Sequence, residues 1–269
     1  MSVWQGALLG LVQGLTEFLP VSSSGHLVLA SHFLGLEPSG GLAFVVFTHF
    51  ATVLAVLTVF RARVAFVLGG TWSGLKSLAS RQWPVGEEGF FWALYIVAGS
   101  VPAAAVGLTF KDQIETAFSS PMFASAMLLI TGAILWGTGR KSETLGTLSP
   151  FRAILIGLAQ AAAILPGISR SGSTIAAGIY LGVEREKAAD FSFLLAVPVI
   201  AGSTVLEAVL LFDHPPTSEA LAAIGAGMVV SYGVGLAAIL VLLKMVRRGR
   251  LSWFAYYCWA VSISALALL

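Results

Sequence analysis

Six stretches of about 20 residues run almost without charge, and few solvents suit a chain built that way. They cover residues 42–60, 89–108, 121–138, 191–212, 221–243 and 251–268, and Glu207 is the single Asp, Glu, Lys or Arg among them. About 20 apolar residues in a helix cross a hydrocarbon core of about 30 Å. The composition agrees: charged residues make up 10% of the chain, against about 25% in soluble domains, and the mean hydropathy is +0.91. The expected class is an all-α polytopic membrane protein, a single membrane domain over residues 1–269.

The same numbers exclude other classes. A formal net charge of +2, with no basic face bearing interleaved aromatics, argues against nucleic acid as a partner. One cysteine, Cys258, rules out an internal disulfide and a multi-cysteine zinc site, and its apolar surroundings mark it as a packing residue. The first basic residue is Arg61, so the basic opening of a signal peptide is missing. Membrane lipids are the expected surroundings.

Two further apolar stretches are broken. Residues 3–35 are interrupted by Pro20 and Ser22-Ser23-Ser24-Gly25, and residues 152–182 by Pro166-Gly167 and Ser169-Arg170-Ser171-Gly172. Each half spans roughly 16–24 Å as a helix, short for a bilayer crossing. The pattern predicts two re-entrant helical hairpins whose polar turns sit near the midplane, where irregular backbone survives only inside protein or beside water. With six transmembrane helices and two hairpins that cross nothing, the basic groups Arg61–Arg81, Arg140–Arg152, Arg185–Lys187 and Lys244–Arg250 all fall on one side. The other side receives Glu37, Lys111, Asp112, Glu115, Asp213 and Glu219. Lys and Arg concentrate on the cytoplasmic face, so hairpin one opens outward and hairpin two inward.

The broken stretches resemble each other at a constant offset of 147 residues. Gly10-Leu11 matches Gly157-Leu158, Gln13 matches Gln160, and Ser22, Ser24 and Gly25 match Ser169, Ser171 and Gly172. Phe44 matches Phe191, and Pro20 and Pro166 are one position out of step. Each half, 1–146 and 147–269, then holds one hairpin and three crossings. An odd number of crossings turns the second copy upside down, an inverted repeat with a site expected where the broken elements meet.

At that meeting point the residues suit phosphate chemistry. Gln13 and Glu17, four apart, share a helix face, and Ser22-Ser23-Ser24-Gly25-His26 follows. Arg170 is the only Lys or Arg between Ala153 and Val183, flanked by Ser169, Ser171, Gly172, Ser173 and Thr174. A guanidinium among hydroxyls and helix N-terminal N–H groups is built to hold a phosphate. Carboxylate, hydroxyls, imidazole and arginine together fit hydrolysis of a phosphate ester or anhydride. A plain structural ion pair between Glu17 and Arg170 is the alternative. His49 either approaches the site or is a hydrogen-bonded core histidine. Asp190 is expected to cap the fourth span, and His32, His214 and Glu207 to lie toward the interfaces. Trp253, Tyr256, Tyr257 and Trp259 read as an interfacial aromatic belt. Gly6, Gly10 and Gly14 read as a close-packing stripe. Gly227, Ser231 and Gly235 suggest another, inside the chain or in a homodimer.

At these residues the sequence resembles the undecaprenyl-diphosphate phosphatase family of bacitracin-resistance membrane proteins. The first family motif, [EQ]-x-x-x-E followed by P-[VI]-S-S-[ST]-G-H, stands here as Gln13 to Glu17 and Pro20 to His26. The second, P-G-x-S-R-S-G-x-T, stands as Pro166 to Thr174. Val101 to Ala104 and Phe193 to Pro198 also match. The resemblance implies hydrolysis of undecaprenyl diphosphate to undecaprenyl phosphate and inorganic phosphate, which recycles the lipid carrier of cell-wall synthesis. It places the protein in the bacterial cytoplasmic membrane with its site facing the periplasm.

On that reading Arg170 holds the diphosphate, and Ser23 is the nucleophile or the first hydrogen-bond partner of the phosphate. His26 or Glu17 takes the proton or activates water. Gln13, Ser22, Ser24, Gly25, Ser169, Ser171, Gly172, Ser173 and Thr174 bind substrate. A divalent cation, Mg or Ca, held at Glu17 would shield the charge; Gln13 in place of a second carboxylate weakens that site, and no organic cofactor is expected. The competing class is a transporter or flippase of an anionic polyprenyl lipid.

Overall fold

A computed structural model describes residues 1–35, 41–141, 145–213 and 217–269. Glu37 and His214 lie outside the described residues, as does the side chain of Glu207. Among the described residues the structure is helical, with one isolated β-bridge between Gly146 and Val183 and no strand. The first broken stretch becomes α1 (Val3–Phe18) and α2 (Ser23–Phe33), and the second becomes α8 (Pro150–Ala162) and α9 (Arg170–Tyr180). The remaining helices are α3 (Gly41–Val59), α4 (Arg61–Ala79), α5 (Glu88–Thr109), α6 (Lys111–Phe118), α7 (Pro121–Thr138), α10 (Arg185–Asp213), α11 (Ser218–Arg247) and α12 (Trp253–Leu268).

Local chemistry sets the helix starts. Ser2 and Gln5 form a capping box at α1. Ser120-Pro121 and Ser149-Pro150 start α7 and α8 with a hydroxyl cap followed by a proline that needs no hydrogen bond there. Each break is a turn between two mutually packed short helices. Phe18, Val21, Ile175, Ile179, Phe193 and Cys258 belong to one buried cluster behind both breaks.

Small residues decide how the helices cross. α1 lies along α11, and a Cβ added at Gly6, Gly10 or Gly14 would strike the backbone of Ala223, Gly227 or Ser231. α8 lies along α5 in the same manner, with Gly157 against the backbone of Gly99. Lipid offers no hydrophobic drive between helices, so backbone approach and packing must supply the association. The stripe Gly227, Ser231, Gly235 is thus used inside the chain: Gly227 also meets Phe44, and Gly235 meets Phe18.

Four helical segments are long and apolar enough to cross a membrane: α5, α7, α11 and Arg185–Val205 of α10. Helices α3 and α4 pass that test only together, and they bend by 82° at their junction. The helix α12 has 16 residues, about 24 Å of rise, short of a full crossing on its own. The protein is a multi-pass α-helical membrane protein, but the six stretches of the sequence are not six equal helices. Arg61–Ala79, placed by sequence only as a basic group between two spans, is a helix whose Gly70 and Gly74 press on Gly89 and Phe90 of α5.

One other expectation needs correcting. Asp190 does not cap a helix: α10 starts earlier, at Arg185, and Asp190 accepts from Nε and Nη2 of Arg63 at 3.1 and 2.7 Å. Arg63 also stacks over Trp92. In the run Trp253 to Trp259, read as an aromatic belt, two members also make bonds within the chain. The Trp259 indole donates to the Leu129 carbonyl at 3.1 Å, and Tyr257 meets His26.

The glycine crossing at α5 and α8 gives a direct test. Gly157→Val forces the Gly99 backbone away and should destabilise the folded protein by about 1–3 kcal/mol or more. Gly69→Ala, where an added Cβ meets nothing within 4 Å, should match or slightly exceed the parent. Thermal unfolding of both variants in detergent measures the difference.

Candidate active site

Each break ends in a serine that caps the returning half-helix. Ser22 Oγ accepts from Gly25 N at 3.3 Å, and Ser169 Oγ accepts from Gly172 N at 3.0 Å. Ser23 and Arg170 are therefore the first residues of α2 and α9, where the partial positive charge of a helix N-terminus is concentrated. Ser22 has φ +68°, the left-handed region that a side chain rarely adopts. That backbone turns its carbonyl toward α2, where it accepts from His26 N at 3.1 Å and His26 Nδ1 at 2.8 Å.

The two turns are pressed together. Gly25 leaves room only for the backbone of Gly167, and Gly172 lies against Pro20. Thr131 of α7 fastens the second turn: its hydroxyl donates to the Gly167 carbonyl at 2.7 Å and accepts from Ser169 N at 3.0 Å. Cys258 of α12 does the corresponding work on the first turn, with Sγ 3.8 Å from the Pro20 carbonyl. The cysteine is buried, as its apolar surroundings in sequence suggest.

Between the turns lies a cavity of about 160 Å³. Glu17, Ser22, Ser23, Ser24, His49, Gln160, Ser169 and Arg170 line its polar side, and Ala103, Phe118, Ala196 and Val199 contribute to an apolar one. Glu17 is 6% exposed and fully engaged. One carboxylate oxygen takes the Arg170 guanidinium. The other accepts from Ser23 Oγ at 2.6 Å and Gln13 Nε2 at 3.0 Å, and His49 Nε2 lies 3.3 Å from it. His49 Nδ1 donates to the Val45 carbonyl at 2.7 Å, which leaves Nε2 to Glu17. The prolines inside α5 and α10, Pro102 and Pro198, stand beside the cavity residues Ala103 and Val199.

The structure thus gathers Glu17, Ser22, Ser23, Ser24, Ser169 and Arg170 around one space. It puts other candidates behind that wall. Gln13 braces Glu17. Ser171 faces Ser169 Oγ at 3.3 Å, and Thr174 bonds to the Arg170 carbonyl and to Ser192. The Ser173 hydroxyl is buried with no partner among the described residues. Gly25 and Gly172 serve the contact between turns. His26 does not line the cavity; its Nε2 lies 3.0 Å from the Tyr257 hydroxyl and the two rings stack. His49 and Gln160 are the cavity residues that spacing alone does not place. The available signal for Gln160 was its match to Gln13 within an apolar stretch.

The cavity does not by itself make a hard-cation cage. Mg and Ca take six or more oxygen ligands, whereas Glu17 is the single carboxylate here and both its oxygens are bonded within the protein. Among the described residues no group of three or more His, Cys, Asp or Glu gathers anywhere.

A family model described as bacitracin resistance protein BacA matches residues 6–264. The undecaprenyl-diphosphatase of Salinibacter ruber is 44% identical over 271 aligned residues, which cover all of both chains. That of Desulfosudis oleivorans is 45% identical over 94% of each. That of Korarchaeum cryptofilum is 40% identical over the whole of both.

The scaffold of the second turn can be tested apart from the chemistry. Thr131→Val keeps the side-chain shape and removes two buried hydrogen bonds. It should cost about 1–3 kcal/mol, read as a lowered midpoint of thermal unfolding in detergent.

Proposed function

This chain belongs to the bacitracin resistance protein BacA family, and we propose that it hydrolyses undecaprenyl diphosphate to undecaprenyl phosphate and inorganic phosphate. The observation that carries the reading is the meeting of Ser23, Glu17 and Arg170 in one cavity, from two stretches of chain 147 residues apart. Arg170 and the N-termini of α2 and α9 bind the diphosphate and stabilise the charge that spreads over the transferring phosphoryl group. Ser23 Oγ, 2.6 Å from Glu17, gives its proton to that carboxylate as it attacks the terminal phosphorus. The bond from phosphorus to the bridging oxygen breaks, and undecaprenyl phosphate leaves carrying the proton that Glu17 took from Ser23, so the carboxylate is free again. Water then attacks the phosphoserine, Glu17 takes the water proton and returns it to Ser23 Oγ as the serine–phosphorus bond breaks, and inorganic phosphate is released. Gln13 and His49 hold the carboxylate in place. The apolar wall of Ala103, Phe118, Ala196 and Val199 suits the first isoprene units of the lipid. No step in this sequence passes through a divalent cation.

The same reading takes residues 1–146 and 147–269 as inverted copies. The contacts support it: Gly10 on Gly227 is matched by Gly157 on Gly99, and Gly25 on Gly167 by Gly172 on Pro20. It also sets the protein in the bacterial cytoplasmic membrane with the cavity toward the periplasm. Phe118, which lines the cavity, belongs to α6, on the side that the distribution of Lys and Arg assigns to the exterior.

Purified protein in detergent should release phosphate from a prenyl diphosphate, whereas a protein that only moves the lipid releases none. Arg170→Ala should lower kcat/KM by at least about 100-fold. Near-normal release by that variant overturns the site. Rapid quenching with labelled substrate should trap phosphate on the parent and none on Ser23→Ala.

A further inference from the structure

Gln160 is 2% exposed, and neither its amide nitrogen nor its carbonyl oxygen has a partner among the described residues. It nevertheless lines the cavity. A buried carboxamide left unpaired costs about 1–3 kcal/mol for each group, so a purely structural side chain there would be better apolar. One other cavity residue shares the condition: Nη1 of Arg170 is also buried without a partner, while its Nη2 is bound to Glu17. Two residues with unpaired N–H donors therefore line one cavity.

The first half of the chain shows what such a glutamine does when it has a protein partner. Gln13 donates to Glu17 four residues on. At the 147-residue offset Glu17 corresponds to Ile164, four residues after Gln160. Ile164 also lines the cavity and carries no acceptor. The second glutamine is thus left without a partner among the described residues, in the cavity that Arg170 also lines.

We propose that Gln160 is a substrate-binding residue, whose amide N–H groups donate to non-bridging oxygens of the diphosphate beside Nη1 of Arg170. The inference rests on the phosphatase reading above and adds to it a direct contact from α8. A ligand oxygen would satisfy groups that the folded protein leaves unpaired, so the contact strengthens when the anion arrives.

Gln160→Met keeps the volume and removes the polar atoms. Three measurements on detergent-purified protein decide the matter: phosphate release from a prenyl diphosphate, the unfolding midpoint, and the rise in that midpoint caused by inorganic diphosphate. The expected result is a fall in kcat/KM of at least about tenfold, carried mainly by KM. The midpoint should be unchanged or higher, and the stabilisation by diphosphate should be weakened. Gln160→Glu, equal in shape but repelling the anion, should lose at least as much activity and serves if the Met variant fails to fold. Activity within twofold of the parent in either variant overturns the proposal. So does lost activity together with a lowered midpoint and intact stabilisation by diphosphate, which is what a packing role gives. A parent protein that releases no phosphate refutes the phosphatase reading instead; diphosphate stabilisation, compared between parent and variant, then still decides whether Gln160 binds the anion.

Discussion

The buried pair of Glu17 and Arg170 constrains the rest of the molecule. A charge inside a bilayer is expensive, and a buried pair that loses one member costs about 3–5 kcal/mol. Neither residue has a second formal charge on its own broken stretch to compensate it. The α1 end and the α9 start must therefore converge, although Glu17 and Arg170 are 153 residues apart. The glycine crossings make this possible. With Gly6, Gly10 and Gly14 sunk into α11 and Gly157 against α5, the short helices sit close enough for the two turns to touch. Thr131 and Cys258 then hold each turn from behind.

The fold was legible where hydropathy and helix breakers act together. Pro20 with Ser22 to Gly25, and Pro166 with Ser169 to Gly172, interrupt apolar helices so sharply that the four half-helices follow from sequence. The helix α4 was not legible, because Arg61, Arg63, Lys76 and Arg81 read as a cytoplasmic loop whether or not the backbone between them coils. The 82° bend at Phe60 depends on how α4 meets α5 through Gly70 and Gly74, and no local pattern encodes that meeting. Asp190 looked like a cap for the same reason: its partner, Arg63, lies more than 120 residues away.

The site was legible in part, and the division has a physical basis. Glu17, Ser23 and Arg170 stand out because their chemistry is costly in an apolar stretch. His49 was ambiguous, since a histidine in a helix can bond to its own backbone, and this one does so through Val45. Only the approach of α3 to α1 adds the contact with Glu17. His26 shows the converse. It sits inside the most conspicuous polar run of the chain, yet its nitrogens are occupied by the Ser22 carbonyl and by Tyr257. Its ring bonds to the carbonyl of Ser22, the residue of positive φ that precedes Ser23.

At the 147-residue offset the two halves put unlike residues in like positions. Ser23 corresponds to Arg170 and Glu17 to Ile164, whereas Gln13 and Gln160, like the capping serines Ser22 and Ser169, are the same. A two-fold arrangement of capped half-helices by itself offers two equivalent anion sites facing each other. Phosphoryl transfer needs the opposite, a nucleophile with its base on one side and a cation on the other. On the mechanism proposed above, isoleucine at the second carboxylate position and arginine at the second Ser23 position separate those tasks without disturbing the backbone contacts that both turns share. On the proposed reading, the asymmetry of the chemistry rests on a few side chains, while the capping serines and the glycine contacts of the two halves correspond. That is why the backbone frame reads from the repeat and the chemistry reads from the departures from it.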